Sequence, residues 1–213
     1  MRRISAAVLA VSLFMPAVFA AAGSVSFDKG APVPLENPDL NLMPLFTVPH
    51  FPAPKTRGTH YNADKKNVPY YAIITEEAAA KGVDVNLVLA VIDTESDFNA
   101  KASSPYARGL MQLTPKTAEW LGLKDQKLIF DPRTNVRYGI KYITILWKMF
   151  AKDKDISDLS ALDLKTDSAV RNVIAAYNAG PGNVRKYNGI PPFKETIAYV
   201  AEVTKEYRIY QAQ

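Results

Sequence analysis

Cysteine is absent from all 213 residues. That excludes disulfides, thiol nucleophiles and the acylated cysteine of a lipoprotein, even in a compartment where disulfides form. Histidine is nearly absent too: His50 and His60 are the only two, ten apart in a proline-rich stretch without clustered acids. That is a poor metal site, and it leaves the rest of the chain without a histidine for a Ser-His-Asp or Cys-His mechanism. No metal or other cofactor is expected. No Lys/Arg block interleaves with aromatics, so nothing argues for nucleic acid. After residue 22 no apolar run is long enough to cross a membrane.

Met1-Arg2-Arg3 precedes an apolar run from Ile4 to Ala22 that is broken by Pro16 and ends in small residues. This is the pattern of a secretory signal peptide over residues 1–22, and a membrane anchor is the alternative. Removal of Arg2 and Arg3 would take the basic count from 26 to 24 against 21 acids, or about +3. A soluble, monomeric, periplasmic protein that is not a lipoprotein is the expectation. Residues 23–68 hold seven prolines from Pro32 to Pro54 with no helical or strand period, which describes an extended arm or linker. Leu35, Leu40, Leu42, Leu45, Phe46, Val48 and Phe51 make it more apolar than a tether usually is, so it either straps onto the domain surface or stays a free linker, and a partner in cell-envelope machinery is the expectation for it. Ser26-Phe27-Asp28-Lys29 matches Ser-x-x-Lys formally but has no companion motifs.

The remainder, 69–213, reads as helical. Asn67 to Lys81, with Pro69 at its start, carries Tyr70, Ile73, Ile74 and Ala78 on one face and stops at Gly82. Asp84 suits an N-cap for a helix ending near Ser96. Thr114-Pro115 and Asp131-Pro132 repeat an N-cap followed by proline. The second opens a long helix with Val136, Ile140, Ile143, Trp147 and Phe150 as its buried stripe. Ala169 to Tyr177 is helical up to Gly180-Pro181-Gly182, and a final helix from Phe193 is expected to bury Ile197, Val200, Val203 and Tyr207. Between Phe150 and Ala169, the mixed charge and the Asp and Ser content mark 151–168 as an inserted surface loop. Its shortening should cost little, because closure entropy depends only logarithmically on length.

Glu95 is the chemical centre of the pattern. At about 100° per residue it lies within roughly 60° of Val88, Val91 and Ile92, whereas Asp93 and Asp97 point to the other side. A glutamate against apolar walls favours its neutral, proton-donating form. Turning back to water at the helix end is the plainer alternative. The residues that follow, Ser103, Ser104, Pro105, Gly109 and Pro115, break the chain beside it and bring polar groups and free backbone, as a cleft requires.

Three motifs then stand in order: Glu95-Ser96-Asp97-Phe98; Gly109-Leu110-Met111-Gln112 with Pro115 and Thr117-Ala118; and Ala176-Tyr177-Asn178-Ala179-Gly180-Pro181-Gly182. Together they resemble the motifs of soluble-type lytic transglycosylases, over about residues 69 to 210. The resemblance implies a mainly α, lysozyme-like catalytic domain, related to goose-type lysozymes, with at most a small β element near the Gly109 loop. It implies peptidoglycan glycan strands as substrate and cleavage of the β-1,4 bond between N-acetylmuramic acid and N-acetylglucosamine to leave 1,6-anhydromuramic ends. Glu95 would be acid, then base. Ser103, Met111, Gln112, Tyr177, Asn178 and, from a later motif around Glu195 to Val200, Tyr199 are the implied substrate-binding residues.

Two departures bear on this. Tyr106 stands where the family has a glycine, which requires a different backbone or a strained one. The run from Glu95 to Ser103 is about one residue short, so Ser104 rivals Ser103. A goose-type lysozyme, which would add water, and a wall-binding scaffold without catalysis are the alternatives.

Overall fold

The computed structural model describes residues 64–213. The expected leader and the arm up to residue 63, with His50, His60 and Ser26 to Lys29, lie outside the described residues. The described residues form seven α-helices, α1 (Tyr71–Lys81), α2 (Val85–Ser96), α3 (Pro115–Trp120), α4 (Pro132–Phe150), α5 (Ser168–Ala179), α6 (Pro181–Lys186) and α7 (Lys194–Gln211), with 3-10 turns at Lys65–Asn67 and Gln126–Phe130. Among the described residues the extended pairing amounts to two isolated antiparallel bridges, Ser103 to Arg108 and Arg108 to Leu113. The domain is mainly α with a vestigial β element at the Gly109 loop, as the sequence led us to expect.

Most helix starts follow from their caps. The side chains of Asp84, Thr114, Asp131 and Asp167 accept hydrogen bonds from the first-turn amides of α2, α3, α4 and α5. Proline occupies the first turn of α3, α4 and α6, where no amide hydrogen is needed. Gly180-Pro181 therefore both ends α5 and starts α6, a helix the sequence reading took as a stop alone.

Five helices close a cycle of packing, α1 on α2, α2 on α7, α7 on α5, α5 on α4 and α4 back on α1. α2 is covered on all sides, with Leu87 to Ser96 buried without exception. Asp93 is therefore buried too, contrary to its expected outward position. Three tyrosines of α7 join this helix to its neighbour. Tyr199 Oη donates to Glu95 Oε1 at 2.7 Å, Tyr207 Oη to Asp84 Oδ2 at 3.0 Å and Tyr210 Oη to Asp93 Oδ2 at 2.6 Å. Each buried carboxylate thus receives a phenol, which offsets part of its desolvation.

The buried face of α7 differs from the expected stripe. Ile197 is 53% exposed, while Thr196, Tyr199, Val200, Val203, Tyr207 and Tyr210 face inward. Helix α1 likewise leaves Tyr70 exposed in a left-handed N-cap and buries Ile74, Glu77 and Ala78. Ahead of it, Val68 is buried, and Lys65 Nζ donates to Asn86 Oδ1 and to the Tyr210 carbonyl.

The segment 151–167 runs over the surface but is not a passive loop. Leu159 and Leu164 are fully buried in the core. Leu159 N donates to Asp84 Oδ2, Asp84 N donates to the Ile156 carbonyl, and Trp147 Nε1 donates to the Lys154 carbonyl. Shortening it would remove core side chains as well as loop, so the small cost expected from closure entropy is corrected upward. Leu159→Ala should destabilise by about 2–5 kcal/mol, the cost of a core cavity. A urea titration showing a loss under about 0.5 kcal/mol would contradict the anchoring.

On the opposite side, Glu77 of α1 is gripped by α4. Arg137 donates through Nε and Nη2 at 2.9 and 2.8 Å, and Arg133 Nη1 adds a bond at 3.1 Å. The Arg137 hydrogen bonds hold the Glu77 carboxyl below its ordinary range against the opposing effect of burial. Since the folded value is the lower one, the unfolded chain binds more protons as pH falls. The clamp's contribution is full above about pH 4.3 and is lost below it. Glu77→Gln should cost about 1–3 kcal/mol at neutral pH. In thermal melts its deficit against the wild type should shrink as pH drops through the carboxylate range; a deficit independent of pH would show that packing, not charge, holds α1 to α4.

Candidate active site

Glu95 sits in the last turn of α2, 1% exposed. The helix ends directly after it without a glycine, because Asp97 and Phe98 both adopt left-handed φ of 51° and 57°. Such residues cost about 1 kcal/mol or more each and persist only where surroundings hold them. Phe98 is held by burial, edge-on to the Tyr210 ring at 6.4 Å. The chain thereby leaves the helix sharply and returns past it as the 100–113 segment.

That segment has little regular backbone pairing, and side chains from three helices fix it. Ser96 Oγ of α2 donates to the Leu110 carbonyl at 2.7 Å. Tyr177 Oη of α5 donates to the Met111 carbonyl at 2.8 Å. Asn135 of α4 accepts from Met111 N at 2.7 Å and donates through Nδ2 to the Arg108 and Ile129 carbonyls at 3.0 and 2.8 Å. Gly109, at φ 77°, has to be glycine here, since a Cβ would stand 2.3 Å from Asn135 Nδ2. Met111 fills the other side, packed against Gly139 of α4 so closely that a Cβ there would meet its sulfur at 2.2 Å. Gln112, at φ 43°, turns its amide inward, with Nε2 donating to the carbonyls of Ala102 and Gly109 at 3.1 and 2.8 Å.

The structure thus brings Glu95, Met111, Tyr177 and Tyr199 together through hydrogen bonds and charge. Burial, then the Glu95 charge, then the neighbouring Tyr142 push the Tyr177 phenol well up. Burial and the Glu95 charge do the same for Tyr199. Both therefore remain protonated donors throughout the physiological range. Asn178 is buried beside Tyr177, its Oδ1 accepting from Thr196 Oγ1 at 2.8 Å. Met111 and Gln112 are buried as parts of the loop's own scaffold.

Ser103 is exposed on the turn. Ser104 instead closes that turn, its Oγ accepting from the amides of Tyr106 and Ala107 at 3.2 and 3.0 Å. Arg108 Nη1 completes it by donating to the carbonyls of Ser104 and Ala107. Tyr106 keeps a negative φ and leaves its ring exposed, so the backbone has re-formed here instead of being strained.

Sequence reasoning missed Asn135 and Thr196. The signal for Asn135 was there: a polar residue inside an apolar helical stripe, one turn before a glycine, is a buried hydrogen-bonding post in want of a partner.

A closed cycle of five helices, one of which is buried from Leu87 to Ser96 and ends in a glutamate that a tyrosine holds and an ordered loop flanks, defines a lysozyme-like helical domain with one carboxyl group at its focus. The chain belongs to the transglycosylase SLT domain family, whose model matches residues 72–200. Membrane-bound lytic murein transglycosylase C from Histophilus somni (strain 2336) is 35% identical over 125 residues, which is 54% of this chain and 32% of that protein. The protein of the same description from Klebsiella pneumoniae (strain 342) is 32% identical over 130 residues, 57% of this chain and 34% of that one. The chain thus matches about a third of the length of these curated relatives. Among solved structures, the 70 kDa soluble lytic transglycosylase of Escherichia coli superposes with a TM-score of 0.55 at 27% identity, covering 70% of this chain and 25% of that one. An inactive glutamate-to-glutamine mutant of lytic transglycosylase Slt from Pseudomonas aeruginosa matches with a TM-score of 0.55 at 27% identity, over 68% of this chain and 24% of that one.

Asn135→Ala should destabilise by about 1–3 kcal/mol, because it leaves the buried Met111 amide and the Ile129 carbonyl without their partner. Hydrogen exchange of the Met111 amide should rise well beyond that of the α7 core. Uniform loss of protection across the domain would show instead that Asn135 supports global stability and not the loop.

Proposed function

We propose that this chain is a peptidoglycan lytic transglycosylase of the cell envelope that cleaves the β-1,4 bond between N-acetylmuramic acid and N-acetylglucosamine and leaves 1,6-anhydromuramic ends. The observation that carries this is the buried Glu95, engaged by Tyr199 and standing beside a side-chain-fixed loop within the transglycosylase SLT domain. The curated relatives named above are lytic murein transglycosylases, and the inactive mutant of the Pseudomonas enzyme carries a glutamate-to-glutamine change.

With Oε1 held by Tyr199, proton delivery falls to Oε2. Glu95 in its acid form protonates the glycosidic oxygen as the bond to C1 of the muramic residue breaks. The oxygen of that sugar's 2-acetamido group bonds to C1 and takes up the developing positive charge. Glu95, now a carboxylate, removes the proton of the 6-hydroxyl, whose oxygen closes onto C1 as the acetamido group leaves. The proton returns to Glu95, and no water is consumed.

This route is favoured over hydrolysis by the carboxylates. A two-carboxylate glycosidase sets its second acid at about 5 Å as nucleophile or roughly 6.5–9.5 Å as base. The nearest acids in sequence do not serve. Asp93 lies about 160° round α2 from Glu95 and is engaged by Tyr210. Asp97 follows the helix as its left-handed C-cap.

Ser103, Tyr177 and Asn178 stand on the proposed sugar-binding side, which the buried Met111 and Gln112 shape from within the loop, with Ser103 offering the exposed hydroxyl while Ser104 serves its own turn. Tyr199 becomes a positioning residue for Glu95. We place the activity in the periplasm, with a removable leader at 1–22 and, as the segment that meets envelope machinery, the arm at 23–68 short of its last residues, since Lys65 and Val68 pack on the domain. The relatives are called membrane-bound, whereas this chain has no cysteine to carry a lipid. No described helix is long and apolar enough to cross a membrane.

Digestion of purified peptidoglycan in H₂¹⁸O, followed by mass spectrometry of the muropeptides, is the test. Anhydro ends without label are expected, each lighter by one water than a hydrolytic product. Reducing ends carrying ¹⁸O would establish a lysozyme instead, and intact wall a non-catalytic scaffold. Glu95→Gln should abolish cleavage with an unchanged melt. Tyr199→Phe should lower kcat by about 10- to 100-fold, a positioning hydrogen bond to a charged group being worth about 1.5–3 kcal/mol.

A further inference from the structure

Asn178 has one end of its amide committed and the other not. The residue is 7% exposed, its Oδ1 accepts from Thr196 Oγ1 at 2.8 Å, and its Nδ2 is buried with no hydrogen-bond partner in the protein. A buried amide donor without an acceptor costs about 1–3 kcal/mol, so a fold that keeps one has a use for it or wastes stability. Its position names the use. Asn178 follows Tyr177, whose hydroxyl ties down Met111 and whose ring lies in the field of Glu95. Thr196 precedes Tyr199 by one turn of α7 on the same buried face. The hydroxyl that orients Asn178 and the phenol that orients Glu95 therefore come from adjacent turns of one helix.

We infer that Thr196 is a positioning residue that turns Asn178 Nδ2 toward the glycan, where it donates to the carbonyl oxygen of a sugar N-acetyl group. This rests on the glycan-cleaving reading of the site. Among the acceptors of such a strand, the acetamido carbonyl is stronger than a hydroxyl or ring oxygen, and it matches a single fixed N–H donor. Threonine suits the task because its β-branched side chain has few rotamers in a helix, so the hydroxyl is held in place before substrate arrives. By donating to Oδ1, it also fixes which end of the amide is left as the donor. The consequence is specificity: Asn178 reads N-acetylation of the strand, and Thr196 sets that preference without touching sugar.

The experiment uses the full chain carrying Glu95→Gln, so that binding is measured without turnover, and titrates it with tetra-N-acetylchitotetraose and with its fully de-N-acetylated counterpart. The acetylated tetramer should bind more tightly. Adding Thr196→Val, which keeps shape but removes the hydroxyl, should weaken the acetylated tetramer by about five- to tenfold, the worth of one hydrogen bond, and leave the other unchanged. Thr196→Ser should restore the preference. Equal weakening of both tetramers, unchanged binding in Thr196→Val, or failure of Thr196→Ser to restore it would overturn the inference in favour of a packing role. The two ideas separate cleanly. Acetyl-selective binding lost in Thr196→Val, in a protein that releases no anhydro ends from wall, supports this inference and defeats the transglycosylase reading. Anhydro ends from a protein with no acetyl preference do the reverse.

Discussion

Three phenol-to-carboxylate hydrogen bonds between α7 and α2 set the constraint on which the domain depends. Asp84, Asp93 and Glu95 are all buried against α7, and an isolated carboxylate in such surroundings would cost several kcal/mol. Tyr207, Tyr210 and Tyr199 answer them one for one. A phenol suits this interface better than a cation would. It donates one directed bond and brings a large apolar ring to the packing, and at Tyr199 and Tyr207 burial and the adjacent acid both push the phenol up, so that it stays protonated. The two helices are separated by most of the domain, with Glu95 and Tyr199 104 residues apart. The acid is therefore set in place only when the helical cycle has closed.

The loop beside Glu95 follows a second rule. Its backbone has few regular partners, so buried polar groups must be met by side chains. Ser96, Asn135 and Tyr177 do this from α2, α4 and α5, and Gln112 does it from within. With Tyr199 from α7, four of the five cycle helices reach the same small region. The site is thus the place where the helices' polar side chains meet, and shifting any one helix disturbs it.

These two rules explain what the sequence could and could not tell. Caps and prolines placed the starts of α2, α3 and α4, because those signals act within three residues of each other. Glu95 stood out by its place in an apolar stripe. Asp93 was misjudged because periodicity finds the more apolar face of a helix, and α2 has no exposed face to contrast with it. Ile197 failed for the same reason in reverse. The buried face of α7 includes Thr196, Thr204, Glu206 and three tyrosines, which a hydropathy pattern counts as polar or ambiguous, so the stripe was drawn through the wrong isoleucine. Leu159 and Leu164 were hidden in a charged, aperiodic stretch whose hold on the core depends on Trp147 just before it and on Asp84, far away in the chain. Tyr106 left two routes open, a different backbone or a strained one, and the Ser104 hydroxyl, which closes the turn, supplies the first.

The partition between stability and function runs through the same three rungs. Asp84 is tied also to the amides of Asn86 and Leu159, and Asp93 shares its tyrosine with the Phe98 ring contact. Both therefore belong to networks whose every member holds chain ends or loops in place. Glu95 differs in its neighbours: a left-handed helix exit on one side, and on the other a loop whose backbone is held from three helices. Left-handed backbone at Asp97, Phe98 and Gln112 and the buried, unmet amide of Asn178 belong to the segments on either side of it. A domain built for stability alone would have put glycine after α2 and an apolar side chain at 178. The chain keeps a form that is less stable locally, and the rungs at Asp84 and Asp93 are what allow it, since they fix α7 firmly enough for Tyr199 and Thr196 to serve the one acid that does chemistry.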